Sequence, residues 1–249
     1  MKIRLDKLLV DRGLVKSRER AQALILAGKV LVDEQKIEKA GANVEQAAAI
    51  RLLGEDLRYV SRGALKLEHA LHHWKIDVRD RVCMDVGTST GGFTDCLLQA
   101  GAARVIAVDT GYGQIDLKLR QDPRVRMMER TNARYLKPGD IGESVSFVAI
   151  DVSFISVTLV LPAVIAAALA ATKPDQEIVV LVKPQFEVGR EAVGKGGIVR
   201  DEQLQMEAAD RVKSALANLG WTRLDVIDSP IFGVEGNREF LLYARRSKD

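Results

Sequence analysis

The chain has 249 residues, of which 47% are hydrophobic and 29% are charged, which is typical of a globular protein with a full core. No basic-then-apolar signal segment opens the sequence, so we expect a cytoplasmic protein. The net charge is +3, but residues 1–29 hold 8 Lys and Arg against 3 Asp and Glu. This local excess favours a polyanionic partner such as nucleic acid, although a solvated helix face gives the same pattern.

The first segment is predicted to be a small α+β unit. An amphipathic helix is expected over Ile3–Leu14, and Ser17 is placed as the N-cap of a second helix that ends at Gly28. Strands at Lys29–Asp33 and around Ala48–Leu53 complete the unit.

The stretch RLDKLLVDRGLVKSRERAQALILAGKVLVD resembles the S4 RNA-binding domain, and the similarity covers about residues 3–53. It implies docking on structured RNA through phosphate contacts. Asp33 and Glu34 depart from the usual turn of that family and add negative charge beside the basic face. The residues that we assign to RNA binding in this segment are Arg4, Lys7, Lys16, Arg18, Arg20 and Lys29.

The next segment, Gly54–Gly63, has few apolar residues and is predicted to be an interdomain linker. A helix follows over Ala64–Trp74, with Lys66, His69 and His73 on its polar face. The two histidines have the spacing of a metal pair, but no third ligand is nearby, so no metal site is expected. The chain is thereby divided into residues 1–53, a linker at 54–63 and residues 64–249.

From Arg81 onward, strand patterns alternate with helix patterns, which indicates βαβ crossovers and a mostly parallel, doubly wound sheet. In such sheets, ligands bind at the carboxyl ends of the strands. The predicted strands are Val82–Val86, Arg104–Asp109, Val125–Glu129, Phe147–Asp151, Ile178–Lys183, Leu224–Ile227 and Glu239–Ala244.

One uncharged run, residues 154–172, reaches the 19-residue length of a membrane span. Its Ala-rich composition, its Pro162 and its place between two predicted core strands favour a buried helix instead. Cys83 and Cys96 are too few for a disulfide framework or a metal site, and we expect buried free thiols.

The stretch VCMDVGTSTGGFT, at Val82–Thr94, has the strand, Gly-rich turn and helix of a nucleotide-type cofactor site, although an ordinary turn is the alternative. Asp85, Asp109, Asp151 and Lys183 each close a predicted strand, so they share one edge of the sheet. The loop lacks the spacing of a dinucleotide fingerprint. The acid at the end of the first strand could accept a hydrogen bond from the amino group of S-adenosylmethionine, so this cofactor fits the loop better than a dinucleotide does.

Five motifs in register resemble the TlyA family of FtsJ-type ribosomal RNA 2′-O-methyltransferases, many of whose members are labelled hemolysin A. They are DVGTSTGGFT from Asp85, SRGALKL from Ser61, AIDVSFIS from Ala149, VKPQFE from Val182 and GNREF from Gly236. The resemblance implies a Rossmann-like methyltransferase domain with a seven-stranded, mostly parallel sheet, preceded by a small α+β S4 domain. It also implies 2′-O-methylation of a cytidine in ribosomal RNA within ribosomal subunits.

The catalytic tetrad of that family, carried over motif by motif, falls on Lys66, Asp151, Lys183 and Glu239. Lys183 would accept the proton of the ribose hydroxyl, Asp151 would orient Lys183, and Glu239 would orient Lys66 or the ribose. A structural ion pair is the alternative for Lys183 and Asp151. The residues that we assign to S-adenosylmethionine are Asp85, Gly87, Ser89 and Gly91 at its methionine part, Asp109 at its ribose and Asn132 at its adenine.

The segment Glu187–Arg200 has no periodicity, and it is predicted to close on RNA through Arg190 and Lys195, with Arg62 as a further contact. A disordered surface connection is the alternative. Two other functions stay open: a membrane-active hemolysin, which depends on the run 154–172, and an RNA-binding ribosome assembly factor with a vestigial cofactor pocket. The sequence does not say which nucleotide or which subunit is modified, and a monomer is only the default.

Overall fold

The computed structural model describes residues 2–15, 17–53, 58–169, 176–233 and 236–246. The chain forms two compact units, residues 1–58 and 59–249. Parts of three sequence predictions lie outside the described residues: Lys16, positions 54–57 of the linker, and positions 170–172 of the uncharged run.

The described residues of the first unit form two helices and five short strands. The elements are β1 (Lys2–Arg4), α1 (Leu5–Asp11), α2 (Arg18–Leu26), β2 (Val30–Val32), β3 (Gln35–Lys36), β4 (Asn43–Glu45) and β5 (Ile50–Leu52). Ser17 caps α2 as predicted, because its side chain accepts a hydrogen bond from the Arg20 amide. The predicted helix at Ile3 begins later, since Ile3 pairs with Val44 in an antiparallel ladder between β1 and β4.

The second unit contains a seven-stranded sheet. Its strands are β6 (Val82–Val86), β7 (Arg104–Val108), β8 (Val125–Met128), β9 (Phe147–Ile150), β10 (Gln176–Val182), β11 (Arg223–Asp228) and β12 (Phe240–Arg246). Its helices are α3 (Ala64–His73), α4 (Gly92–Gln99), α5 (Leu117–Arg120), α6 (Leu161–Ala168), α7 (Pro184–Glu187) and α8 (Glu202–Asn218).

The strand order in this sheet is β11-β12-β10-β9-β6-β7-β8, and only the pairings that involve β12 are antiparallel. The predicted seven-stranded, mostly parallel sheet is therefore confirmed. The chain moves from β6 to β7 on one side and later returns to place β9 on the other side. The carboxyl end of β6 is thus the point where the strand order reverses, which is where such sheets bind ligands.

Both faces of the sheet are covered, as side chains alternate between the faces along each strand. Met84 and Val86 pack with α6 and α8 on one face, and Cys83 packs with α3 and α4 on the other. Cys83 and Cys96 are buried free thiols, as predicted. The uncharged run contains a 3-10 turn at Val157–Leu159 and an α-helix at Leu161–Ala168, and no described helix is long and apolar enough to span a bilayer.

Candidate active site

The glycine loop after β6 lies against the loop after β9. The Gly87 amide donates to the Val108 carbonyl, and the Asp151 amide donates to the Val86 carbonyl at 2.8 Å. Gly87 has a φ of +89°, and a Cβ atom at this position would lie 2.2 Å from the Asp151 carbonyl oxygen. Only glycine fits there. Gly91 also favours glycine, because its φ of +96° is a conformation that residues with a side chain rarely adopt.

Asp109 ties the glycine loop to the turn after β7. Its carboxylate accepts hydrogen bonds from the Ser89 amide at 2.7 Å and from the Gly111 amide at 2.6 Å. Each oxygen keeps a further lone pair for a ligand hydroxyl. Asp109 therefore supports the loop in addition to the ribose contact that the sequence suggests.

An open cavity of about 500 Å³ follows this edge of the sheet. Four of the predicted cofactor residues line it, namely Gly87, Ser89, Asp109 and Asn132, together with the catalytic candidate Asp151. The wall also includes residues that the sequence did not single out. These are Gln114, Thr131, Ser153 and Phe154, of which Phe154 is 92% exposed and has a φ of +65°.

Asp85, near the end of β6, and Gly91, in the glycine loop, are both buried. One Asp85 carboxylate oxygen accepts a hydrogen bond from the Thr94 hydroxyl at 2.6 Å, and the other has no hydrogen-bond partner among the described residues. Burial raises the pKa of Asp85 to about 7. The negative charges of Asp151 and Asp109 raise it as well, whereas the hydrogen bond from Thr94 lowers it. A cation placed next to the free oxygen would stabilise the carboxylate form.

Lys183 and Asp151 form an ion pair at the carboxyl ends of β10 and β9. The distance from the Lys183 ammonium to an Asp151 carboxylate oxygen is 2.5 Å, and the two side chains are 12% and 23% exposed. The Lys183 ammonium also donates to the Ser153 hydroxyl at 2.8 Å. Asp151 and Ser153 both line the cavity, so the ion pair lies at the cavity wall.

The prediction that Lys66 lies on the exposed face of α3 is wrong. Its side chain is 9% exposed and pairs with that of Glu239, which is 3% exposed and precedes β12. The helical pattern misled because the partner comes from a distant part of the sequence. His69 and His73 are exposed as expected, and no described group of metal-ligating side chains could hold a metal ion.

Glu187, at the end of α7, connects the two loops that carry the Lys183–Asp151 pair. Its carboxylate accepts from the Ser156 hydroxyl at 2.6 Å and from the Val157 amide at 2.8 Å. Burial raises the pKa of Glu187, opposed by these two hydrogen bonds. This contact cannot be predicted from sequence patterns, because it joins loops that follow different strands.

Asp6 organises the basic side chains of the first unit. Its fully buried carboxylate accepts from Arg4 at 2.8 Å, from Arg18 at 3.1 Å and from Gln22 at 2.9 Å. The Arg4 hydrogen bond is the largest cause that holds the pKa of Asp6 well below its usual range. Arg4 and Arg18 are still about half exposed, so their guanidinium groups are fixed and accessible at once.

The other predicted RNA-binding residues are distributed over both units. Lys7 is exposed, while Arg20 and Lys29 are partly buried. In the second unit, Arg190 and Lys195 are exposed in the loop after α7. Arg62 is exposed and donates a hydrogen bond to the Phe232 carbonyl at 3.3 Å.

The FtsJ-like methyltransferase profile matches residues 59–246, and the S4 domain profile matches residues 3–50. The chain is 47% identical to the Mycobacterium tuberculosis protein named 16S/23S rRNA (cytidine-2'-O)-methyltransferase TlyA, over 99% of this chain and 91% of that protein. It is 37% identical to Hemolysin A of Brachyspira hyodysenteriae, over 97% and 99% of the two chains. A solved structure from Streptococcus thermophilus, provisionally assigned as a hemolysin, is 43% identical to this chain. The two superpose with a TM-score of 0.76, over 100% of this chain and 90% of that one.

Proposed function

Because the chain belongs to the FtsJ-like methyltransferase family, we propose that it methylates the ribose 2′-hydroxyl of a cytidine in ribosomal RNA. The enzyme class and the cofactor, S-adenosylmethionine, follow from the family and confirm the predictions from the sequence. The acceptor is the further step. It is supported by the S4 domain and by the name of the M. tuberculosis relative. Such a substrate implies a cytoplasmic enzyme.

The observation that carries this proposal is the Lys183–Asp151 pair at the wall of the cavity. A ribose hydroxyl is a weak nucleophile, and it must lose its proton as its oxygen bonds to the methyl carbon. Lys183, as an uncharged amine, accepts that proton, and Asp151 holds the amine in place and stabilises the ammonium that results. The rest of the rate enhancement comes from holding the reacting atoms in line.

The residues around the cavity fit S-adenosylmethionine. The free oxygen of Asp85 suits the amino group of the methionine part, and Gly87 lets the ligand approach the backbone. Ser89 and Gly91 shape the same loop. Asp109 is assigned to the ribose hydroxyls and Asn132 to the adenine edge. When bound, the cofactor supplies an electrophilic methyl group on a sulfonium and leaves as a neutral thioether.

The second buried pair completes the tetrad. Glu239 is assigned to orienting Lys66, whose ammonium the buried carboxylate holds in one place. Keeping both charges buried costs solvation free energy, which is easier to explain by chemistry than by stability.

RNA docking is assigned to residues 1–53, joined through residues 54–63 to the catalytic residues 64–249. Arg4 and Arg18, fixed by Asp6, supply phosphate contacts of defined geometry. Further phosphate contacts are assigned to Lys7, Lys16, Arg20, Lys29, Arg62, Arg190 and Lys195.

The test is transfer of a labelled methyl group from S-adenosylmethionine to purified small and large ribosomal subunits. We expect label in RNA, at a nucleotide whose 3′ linkage becomes resistant to alkaline cleavage. Lys183→Ala should lower kcat by about 100-fold or more, because a general base contributes at least this much. Lys213→Ala, a change on α8, is the matched control and should retain activity.

Absence of transfer by the wild type to either subunit would contradict the proposal, and subunit binding without transfer would favour an assembly factor. Label on a base rather than on a ribose would contradict the assigned acceptor. Equal rates for the wild type and Lys183→Ala would remove Lys183 as the proton acceptor.

A further inference from the structure

We propose that Ser153 is a positioning residue that fixes the direction of the Lys183 lone pair, an inference that rests on the proposed function. Ser153 is exposed, lines the cavity and accepts a hydrogen bond from the Lys183 ammonium at 2.8 Å. The second partner of that nitrogen is Asp151, at 2.5 Å.

To accept a proton, Lys183 must be an uncharged amine, which carries two hydrogens and one lone pair. Ser153 accepts one hydrogen in a hydrogen bond, and the Asp151 carboxylate, which lies 2.5 Å away without hydrogen-bond geometry, attracts the other, so the lone pair is directed away from both of them. The proton of the ribose hydroxyl then passes to this lone pair: the O–H bond breaks, an N–H bond forms, and the oxygen keeps the electron pair. Without Ser153, the amine could rotate about its bond to carbon, and its lone pair would lose a fixed direction.

Two features of the fold hold Ser153 in this place. The next residue, Phe154, has a φ of +65°, so the backbone turns sharply immediately after the serine. Ser156 and Val157, just beyond, are bound to the buried Glu187 carboxylate. Before the serine, the Asp151 amide donates to the Val86 carbonyl, so the loop is anchored on both sides of Ser153 and can keep this short side chain within hydrogen-bond distance of Lys183.

The test compares Ser153→Ala, which removes the acceptor, with Ser153→Thr, which retains it. For Ser153→Ala we expect kcat to fall about tenfold, the value of one hydrogen bond to a charged group. The affinity for S-adenosylmethionine and KM for the ribosomal subunit should stay within about twofold of wild type, since neither depends on the lone pair. Ser153→Thr should recover most of the rate, and Ser214→Ala on α8 serves as the control.

Two readouts separate positioning from a merely structural effect. The acidic limb of the kcat–pH profile should move to lower pH in Ser153→Ala, since the ammonium form loses an acceptor. In the free protein, the NMR titration midpoint of the Lys183 side-chain nitrogen, assigned through Lys183→Arg, should move in the same direction. Neither should move in Ser214→Ala.

The proposal is overturned if Ser153→Ala keeps the wild-type kcat, the wild-type acidic limb of the kcat–pH profile and the wild-type titration midpoint of the Lys183 nitrogen. It is also overturned if that variant loses cofactor affinity in proportion to kcat, which would mean that the loop has collapsed. Failure of the proposed function would look different: the wild type would transfer no methyl group to RNA, whereas the NMR midpoint would still report the link between Ser153 and Lys183.

Discussion

At the residue scale, the Lys66–Glu239 pair allows a role in the reaction to be distinguished from a role in the stability of the fold. Both side chains are almost fully buried and pair directly. Burying two charges carries a desolvation cost that their attraction offsets only in part, and removing one partner leaves the other unpaired in the interior. A pair retained under these conditions is expected to serve the reaction.

We predict that Glu239→Ala lowers the free energy of unfolding by about 3 to 5 kcal/mol. The double variant Lys66→Met with Glu239→Leu should recover most of this stability and still lack methyl transfer, because apolar side chains of similar size fill the space without the charges. Urea unfolding and the subunit assay measure the two properties, with Glu207→Ala as an exposed control. A double variant that is active would show that the pair is only structural.

Asp85 gives a pH dependence with a defined sign. Its pKa is raised from 3.8 to about 7 by burial, so between these values the folded state holds a proton that the unfolded state has lost. Stability of the free protein should therefore fall as pH rises from about 4 to about 7. The Asp85→Asn variant should lose this part of the slope, as urea unfolding at pH 5 and pH 8 would reveal.

Cofactor binding should show the opposite preference at the same residue. The amino group of S-adenosylmethionine favours the charged carboxylate, so its affinity should rise as pH increases through about 7. Calorimetry in two buffers of different ionisation enthalpy should detect proton release on binding by the wild type and less by Asp85→Asn. Equal release by both proteins would contradict the contact.

The limits of prediction from sequence at this scale follow from distance along the chain. Asp85, Asp109 and Asp151 could be placed at one sheet edge because each follows its own strand pattern directly. Lys66 was misplaced because its partner, Glu239, is remote in sequence. Ser153 was missed because its role depends on where the Lys183 side chain reaches.

At the element scale, the short helix α7 connects the cofactor edge of the sheet to α8. Lys183 directly precedes α7 and Glu187 ends it. The Glu187 backbone carbonyl accepts a hydrogen bond from Arg211 of α8, while its carboxylate binds the loop after β9. The helix thereby fixes the position of Lys183 relative to Asp151. A helix of this length leaves almost no periodic signal, so the sequence could not predict it.

We predict that Glu187→Gln lowers kcat about tenfold, because a single amide oxygen cannot accept both the Ser156 and the Val157 hydrogen bonds equally well. Hydrogen exchange of residues 151–157 should become faster, and cofactor affinity should change less than kcat. Glu191→Gln, an exposed carboxylate in the following loop, is the matched control. Unchanged exchange together with unchanged kcat would show that α7 does not need this contact.

At the scale of the whole molecule, the two units differ in net charge and in the kind of site that they contain. The excess of basic residues lies in the first unit, whereas the buried ion pairs and the cavity of the active site belong to the second. The basic excess of the first unit can be read from the sequence directly, because net charge does not depend on tertiary contacts. The sequence could not predict that Arg4 and Arg18 are committed to a buried acid, which requires the packing of α1 and α2.

Because Arg4 and Arg18 bind the buried Asp6 carboxylate, other residues must be substituted to test RNA binding without destabilising the fold. Removing Arg4 or Arg18 would leave the buried Asp6 short of a partner and destabilise the unit. The side chains of Lys7 and Lys29 form no hydrogen bond or ion pair with the described residues, so Lys7→Gln with Lys29→Gln is the suitable double variant. Each lysine that contacts a phosphate releases counterions on binding. The double variant should therefore reduce the slope of log K against log salt by about 1.5.

The affinity of this variant for S-adenosylmethionine should be unchanged, because that site is built from residues of the second unit. Lys75→Gln with Lys213→Gln removes the same charge from the second unit and is the matched control. If both double variants lower the salt slope equally, only net charge matters to binding. If the first variant alone lowers it, the first unit makes local phosphate contacts, and KM for the subunits should rise while kcat at saturation is retained.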